Sequence, residues 1–447
     1  MGSLARAIDR WIPRMGSVPH PDPALGRSWQ WAQAGAILLP FSISLGGLCW
    51  VVALGDVTAQ RHRQLLSHPL NRAWMLLGLW LVITTLTALD PAQAALGLAN
   101  FLPCFWFFAG CQELIQTGAQ LRRLAWLLVM GAVPAVVLGL PSLWGWWGGP
   151  VDGGILVQWP LELGGTPPGR LAGVFAYANV LASYLVITFS LGLGLWCEAL
   201  PPRRTPRAPW LQGVLTLALV VQGLGMLLTQ SRNAWGIGAI VALLYGVRQG
   251  WYWGVGTLVG AGAAVFWAAF GSWGREFFQR IVPAFLWARI NDQMYGDRPT
   301  ADLRITQWRF AWHLTQERPW TGWGLRNFTP LYEAATHHWL GHPHNFFLML
   351  SAETGLGVTL GFMGVVGWIL AQGVGYYQQL RRDNPGDGAL VFAYLMAFVA
   401  CVLFNLFDVT LFDYRVNLTN WLMLGAIAGV CQGRTSALRC LMDGRKN

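Results

Sequence analysis

Charge is what this chain has least of. Only 11% of its 447 residues are Asp, Glu, Lys or Arg, less than half the share in an average soluble domain. With 54% hydrophobic residues and a mean hydropathy of +0.42, that scarcity excludes a soluble globular protein and leaves a polytopic membrane protein. A paired-cysteine framework is also missing. Cys49, Cys104, Cys111, Cys197, Cys401, Cys431 and Cys440 sit inside or beside apolar segments, so neither disulfides nor a CxxC metal pair is expected, and they read as packing residues. The start, "MGSLARAIDRWIPRMG", lacks the apolar core and small-residue cleavage site of a signal peptide. Instead Leu4, Ile8, Trp11 and Ile12 recur at helical spacing with Arg6, Arg10 and Arg14 between them, the pattern of a helix resting on an anionic membrane surface. The alternative is a disordered basic tail.

What is present is a series of apolar runs long enough to span a bilayer, near 73–90, 94–112, 124–145, 173–198, 210–229, 234–248, 251–271, 345–376, 388–407 and 416–432. The run at 31–55 is too long for one upright helix. Pro40 and the Gly46-Gly47 pair near its middle, with arginines on both flanks, favour a broken hairpin. Short arginine-bearing loops (Arg122 and Arg123; Arg203, Arg204 and Arg207; Arg248; Arg381 and Arg382) then fall on one side, cytoplasmic by the positive-inside rule. The expected fold is an all-α polytopic membrane protein of about twelve segments with both termini cytoplasmic. Its layout is a cytoplasmic amphipathic segment at 1–30, membrane segments one to nine at 31–271, a long periplasmic loop at 272–343, segments ten to twelve at 344–432 and a tail at 433–447.

The long loop concentrates the chemistry. It holds eight arginines, and four histidines (His337, His338, His342 and His344) crowd into eight positions at its end. Within it, "TADLRITQWRFAWHLTQERP" reads as a helix with Thr300 as N-cap, Asp302 in its first turn and Pro319 as its stop. On that helix Arg304 shares a face with Trp308, Ala311, Trp312 and Thr315. Such a face either lies at lipid headgroups or presents Arg304 to an anionic ligand. Arg232 in "LLTQSRNAWGIG" occupies a very short link between apolar runs with no acid near it in sequence; it either snorkels or holds an anion. His338 and His342 have the i, i+4 spacing of two metal ligands, but Gly341 and Pro343 argue against a continuous helix there. Glu353 lies too far along its helix to partner His344, and reads as satisfying another helix's polar group or holding an arginine such as Arg232. Of Asp408, Asp413 and Arg415, the simplest account is an ion pair, the alternative being an acceptor entrance.

These residues resemble the O-antigen ligase family, bacterial membrane glycosyltransferases that move a glycan from a polyprenyl pyrophosphate carrier. "TQSRNAW" resembles its T-x-S-R segment, "LRITQWRFAW…ERPWTGWG" its arginine helix followed by P-x-x-G-x-G, and "HNFFLMLSAETG" its H-N-x9-G signature. "RLAGVFAYANVLASYL" adds an R-x-x-G-x-F-x-x-x-N match, so the resemblance covers roughly residues 170–376. Ala178 stands where the family often has proline, and Val358 where it often has a second glycine; both departures touch packing.

The resemblance implies a GT-C-like fold in the bacterial inner membrane and a reaction at its periplasmic face: transfer from an undecaprenyl-pyrophosphate-linked glycan to lipid A core or another glycan acceptor, without metal or cofactor. Membrane lipids are expected partners; nucleic acid is not. Arginine binds phosphate oxygens in a two-pronged fork, and histidine accepts a proton near neutral pH. By resemblance, Arg232 and Arg304 grip the pyrophosphate and His344 is the base. Asn345 positions backbone or sugar, and His342, Trp308, Arg170 and Asn179 contact substrate, while His337 and His338 remain solvated. A polysaccharide polymerase of the same superfamily, a protein O-oligosaccharyltransferase and, in a different class, an inorganic-carbon transporter remain open alternatives. The short stretch after residue 376 weighs against the protein-glycosylating one.

Overall fold

The computed structural model describes residues 18–200, 209–291 and 299–443, the last ten as backbone alone. The expected amphipathic start up to residue 17, the Arg203–Arg207 loop, Arg298 and the arginine side chains of the tail lie outside the described residues. The fold is mostly helical. In chain order the helices are α1 (Gly26–Leu38), α2 (Ile43–Ser67), α3 (Pro69–Leu86), α4 (Pro91–Gly97), α5 (Leu102–Leu114), α6 (Gly118–Val137), α7 (Leu140–Leu143), α8 (Ala178–Ala199), α9 (Pro209–Leu228), α10 (Arg232–Gln249), α11 (Tyr252–Phe270) and α12 (Arg275–Ile281). They continue with α13 (Ala284–Ile290), α14 (Arg304–Glu317), α15 (Phe328–Thr336), α16 (Phe346–Asp383), α17 (Pro385–Phe404) and α18 (Tyr414–Asp443). One two-residue hairpin, β1 (Val151–Asp152) against β2 (Gln158–Trp159), pairs antiparallel in the loop between α7 and α8.

Among the described residues nine helical stretches are long and apolar enough to cross a membrane. Three further helices run against them: α1 on α2, α10 on α8 and α18 on α5. The run expected to break between Pro40 and the glycine pair breaks at the proline side only. Gly46 and Gly47 lie inside α2, which continues past residue 55 to Ser67. Ser42 caps α2 with its hydroxyl on the Leu45 N–H, so the chain needs no glycine to restart the helix.

The centre of the bundle is α8, with 78% of its apolar window buried, crossed by α17. Gly194 leaves no room for a Cβ against Ala393, the close approach that small residues permit where lipid supplies no hydrophobic drive between helices. At one end of the bundle Arg122 forks onto Glu198 (2.8–3.1 Å) and reaches Asp387 (3.2 Å), tying α6, α8 and α17 together.

At the other end, the turn after α14 locks into α16. Trp323 and Gly324 donate their N–H groups to the carbonyls of Ala352 and Glu353 (3.0 and 2.8 Å), and Leu356 N–H returns to the Pro319 carbonyl (2.7 Å). The helix breaks to allow this: Gly355 sits at φ 80°, ψ 167°, a conformation essentially confined to glycine. A Cβ on Gly322 would strike the backbone of Glu353, and one on Gly355 the backbone of Trp320. The glycines of "PWTGWG" and "ETG" are therefore two halves of one joint. The Glu353 carboxylate accepts the Phe328 N–H (3.3 Å) at the start of α15, so it serves another helix's polar group rather than Arg232. Gly355→Ala is expected to destabilise the protein by about 1–3 kcal/mol or more. The thermal midpoint in detergent should fall accordingly, and an unchanged midpoint would show that the joint does not hold α14 to α16.

Candidate active site

Four helices begin around one cavity of about 580 Å³. Asn179 comes from the start of α8, Ser231 to Asn233 from α10, Leu303 and Arg304 from α14, and His344 from the residues just before α16. Helix starts leave backbone N–H groups without helical partners and carry about half a positive charge each. Arg170, Arg232, Arg289 and Arg304 add four full charges to the lining, against Asp302 and Asp408.

The segment "TQSR" builds one wall. Thr229 offers its carbonyl to Arg170 Nε (2.7 Å) and Gln230 offers its own to Arg289 Nε (3.3 Å). Gln230 takes a left-handed φ of 49°, and Ser231 caps α10 so that Arg232 is its first residue. Arg232 Nη1 in turn donates to the Arg289 carbonyl (3.2 Å). Opposite, Arg170 Nη2 donates to Asn179 Oδ1 and Asn179 Nδ2 to Asp408 Oδ2, both at 2.5 Å. This row holds the start of α8 to the chain leaving α17.

The histidines form the next wall. His344, at φ 51°, donates its backbone N–H to His342 Nδ1 (3.2 Å), and the two rings meet edge to face at 4.6 Å. His342 Nε2 lies 3.8 Å from Asp408 Oδ1. Burial, reinforced by the neighbouring His342 and by Arg304, pushes His344 down to about 4 against the opposing pull of Asp408 and Asp302. Burial likewise lowers His342, although Asp408 acts against it. Both rings are therefore neutral at pH 7, and His344 retains a lone pair for a proton. One ligand atom from each of His342, His344 and Asp408 lies within 4.8 Å of the others. The His344 N–H nevertheless makes His342 Nδ1 an acceptor, which leaves the ring's proton on Nε2 toward Asp408. Within the trio the His344 backbone N–H is bonded to His342 Nδ1, while the His342–Asp408 contact at 3.8 Å is longer than a hydrogen bond.

Of the residues singled out in the sequence, Arg170, Asn179, Arg232, Arg304 and His344 line the cavity, whereas His342, Asn345 and Trp308 stand behind it. Asn345 caps α16 through the Leu348 N–H (3.0 Å) and donates to the Leu406 carbonyl (3.1 Å). Trp308 packs half-buried against Phe407. Thr300 does not cap the arginine helix: Thr300–Asp302 form a separate 3-10 turn, extended Leu303 precedes the helix, and Arg304 is its first residue. The buried stripe of α14 is Gln307, Ala311, Leu314 and Thr315, with Trp312 exposed, because α14 packs on α16 through contacts such as Thr315 Oγ1 to Ser351 Oγ (3.0 Å). His338 is not simply solvated, since it pairs with Asp302 at 2.7 Å. Asp413 pairs with Arg415 at 2.7 Å, but Asp408 parts from them and joins the site.

Sequence reasoning passed over Arg289, one arginine among eight in its loop, and Gln307, which nothing in the pattern distinguishes. Asp408 was visible only as a member of an acidic cluster.

Residues 217–363, about a third of the chain, match the family model described as O-antigen ligase. The matched region contains the starts of α10, α14 and α16, with Arg232, Arg289, Arg304, His344 and the glycine joint. No curated protein matches the chain. The match supports a glycan-transferring membrane enzyme with a lipid-linked glycan and an acceptor as its substrates.

An arrangement of this kind binds multivalent anions. Arg289→Gln is expected to weaken binding of inorganic pyrophosphate to the purified protein by about 10- to 100-fold, the worth of one charge-assisted contact at about 1.5–3 kcal/mol. Arg280→Gln, on the exposed side of α12, should leave titration calorimetry unchanged. Equal binding by both variants would remove Arg289 from the site.

Proposed function

We propose that the protein is a glycosyltransferase that moves a glycan from an undecaprenyl pyrophosphate carrier to an acceptor hydroxyl at the periplasmic face of the inner membrane, in a bundle of about twelve segments with cytoplasmic termini. The favoured acceptor is lipid A core. The observation that carries the reading is a neutral, half-buried histidine beside four arginines and four helix starts: a base next to an anion site is what transfer from a pyrophosphate requires. Arg232, Arg289 and Arg304 hold the pyrophosphate oxygens. Arg170 and Asn179 brace the wall, and Asn345 holds the start of α16. His342 and Trp308 support the acceptor side.

In the reaction the acceptor hydroxyl gives its proton to His344 as its oxygen bonds to the anomeric carbon. The bond from that carbon to the pyrophosphate oxygen breaks, and its electron pair stays on the leaving group. The arginines neutralise the charge that develops there. The imidazolium then returns its proton to solvent.

Two substitutions test the division of labour on purified protein with lipid-linked donor and acceptor. Arg304→Lys keeps the charge but loses the two-pronged fork, so transfer should fall by about tenfold or more; near-wild-type transfer would reduce Arg304 to a lipid anchor. His344→Gln can hydrogen-bond a hydroxyl but cannot take its proton. Turnover should drop by about 10²–10⁴ while donor binding is retained. Full turnover would exclude the base, and elongation of a carrier-linked acceptor in place of lipid A core would make the enzyme a polymerase.

A further inference from the structure

A general base must present a lone pair, and histidine has two nitrogens that can carry the proton. In this site the choice is not left to the ring. Gln307 lies on the buried stripe of α14, 1% exposed, with its Oε1 3.0 Å from His344 Nδ1. Its amide has one sensible orientation. Gln307 Nε2 donates to the Ala301 carbonyl (3.3 Å), an acceptor that also takes the Tyr332 hydroxyl (2.6 Å). Flipping the amide would set oxygen against oxygen at Ala301 and N–H against whatever His344 offers. With Oε1 toward the ring, Nδ1 must be the donor, so the proton resides there and Nε2 keeps the lone pair. Gln307 acts on no substrate itself and does not line the cavity.

We propose that Gln307 is a positioning residue for glycan transfer: pinned by the Ala301 carbonyl, it fixes His344 as the Nδ1–H tautomer and so makes Nε2 the proton-accepting atom. This deepens the reading of His344 as the base and rests on it. A neutral amide suits the role better than a carboxylate in this surrounding. The charged and titratable groups facing His344 are His342, Asp408, Arg304 and Asp302. A neutral partner orients the ring without adding a charge that would hold the imidazolium.

The test uses the full-length protein labelled with ¹⁵N-histidine, together with turnover on lipid-linked donor and acceptor across pH. Wild-type His344 should show the shifts of an Nδ1–H tautomer. Gln307→Leu, close in size but unable to accept, should mix the tautomers and lower kcat by about 10- to 100-fold with the donor KM unchanged. Gln307→Glu keeps an acceptor at the same place. It should preserve the tautomer, recover most of kcat at high pH, and move the acid limb of the profile upward, because a carboxylate favours the protonated ring and the base is then lost at a higher pH. An Nε2–H tautomer in the wild type overturns the proposal. So does wild-type kcat in Gln307→Leu, or equal losses in the leucine and glutamate variants with tautomer and acid limb unmoved. If His344→Gln turns over fully, the base reading fails by itself, and the nitrogen shifts still decide whether Gln307 sets the tautomer.

Discussion

The structure depends on a concentration of positive charge that, among the described residues, faces Asp302 and Asp408. Four helices begin around one cavity, and four arginines line it. At the edge of a bilayer such an arrangement repels itself, and neighbouring carbonyls brace Arg170, Arg232 and Arg289. Carbonyls of Thr229 and Gln230 hold Arg170 and Arg289, the Arg289 carbonyl holds Arg232, and the Asn179–Asp408 row closes the opposite side. These are largely neutral acceptors. Such acceptors fix guanidinium geometry.

Bracing alone would not bring the four starts together, since they come from segments far apart in the chain. The glycine joint supplies part of the register. By breaking α16 at Gly355 and receiving the 319–324 turn against Ala352 and Glu353, it fixes α14 against α16 and hence Arg304 and Gln307 against His344. The polar ties at the opposite end, centred on Arg122, set the remaining helices without entering the site. A membrane protein cannot use hydrophobic collapse for this purpose inside lipid, which is why close glycine contacts and backbone hydrogen bonds carry so much of the geometry.

Much of this was legible in the sequence, and the parts that were not share a cause. Apolar runs located the bundle because length and composition define a span without reference to neighbours. Arg232, Arg304 and His344 stood out because charge or imidazole is conspicuous beside lipid. The boundaries of α2, and the helix start displaced from Thr300 to Arg304, depend on packing against other elements. Gln307 is invisible for the same reason: an amide on a helix gains meaning only from the ring and carbonyl on either side of it. Arg289 was lost among the eight arginines of its loop, and Asp408 was judged by proximity in sequence, because its neighbours Asp413 and Arg415 offered a simpler pair that the structure indeed forms without it.

The two jobs of the site are also linked through a single field. Burial, His342 and Arg304 keep His344 unprotonated, so its lone pair is available but the base is weak. On the proposed reading, a bound pyrophosphate cancels much of the arginine field and places negative charge near the ring, and both changes raise the proton affinity of His344. The base strengthens when a donor is in place. Nothing needs to move for this to happen, because the coupling is electrostatic and runs through groups already within reach of the ring. Asp408 grades the effect from the other side, pulling His344 and His342 upward while tied through Asn179 to Arg170. The scarcity of acid noted in the sequence thus has a local counterpart: among the described residues the acids that line the cavity are Asp302 and Asp408, and on the proposed reading a bound pyrophosphate adds to the negative charge that tunes the histidine.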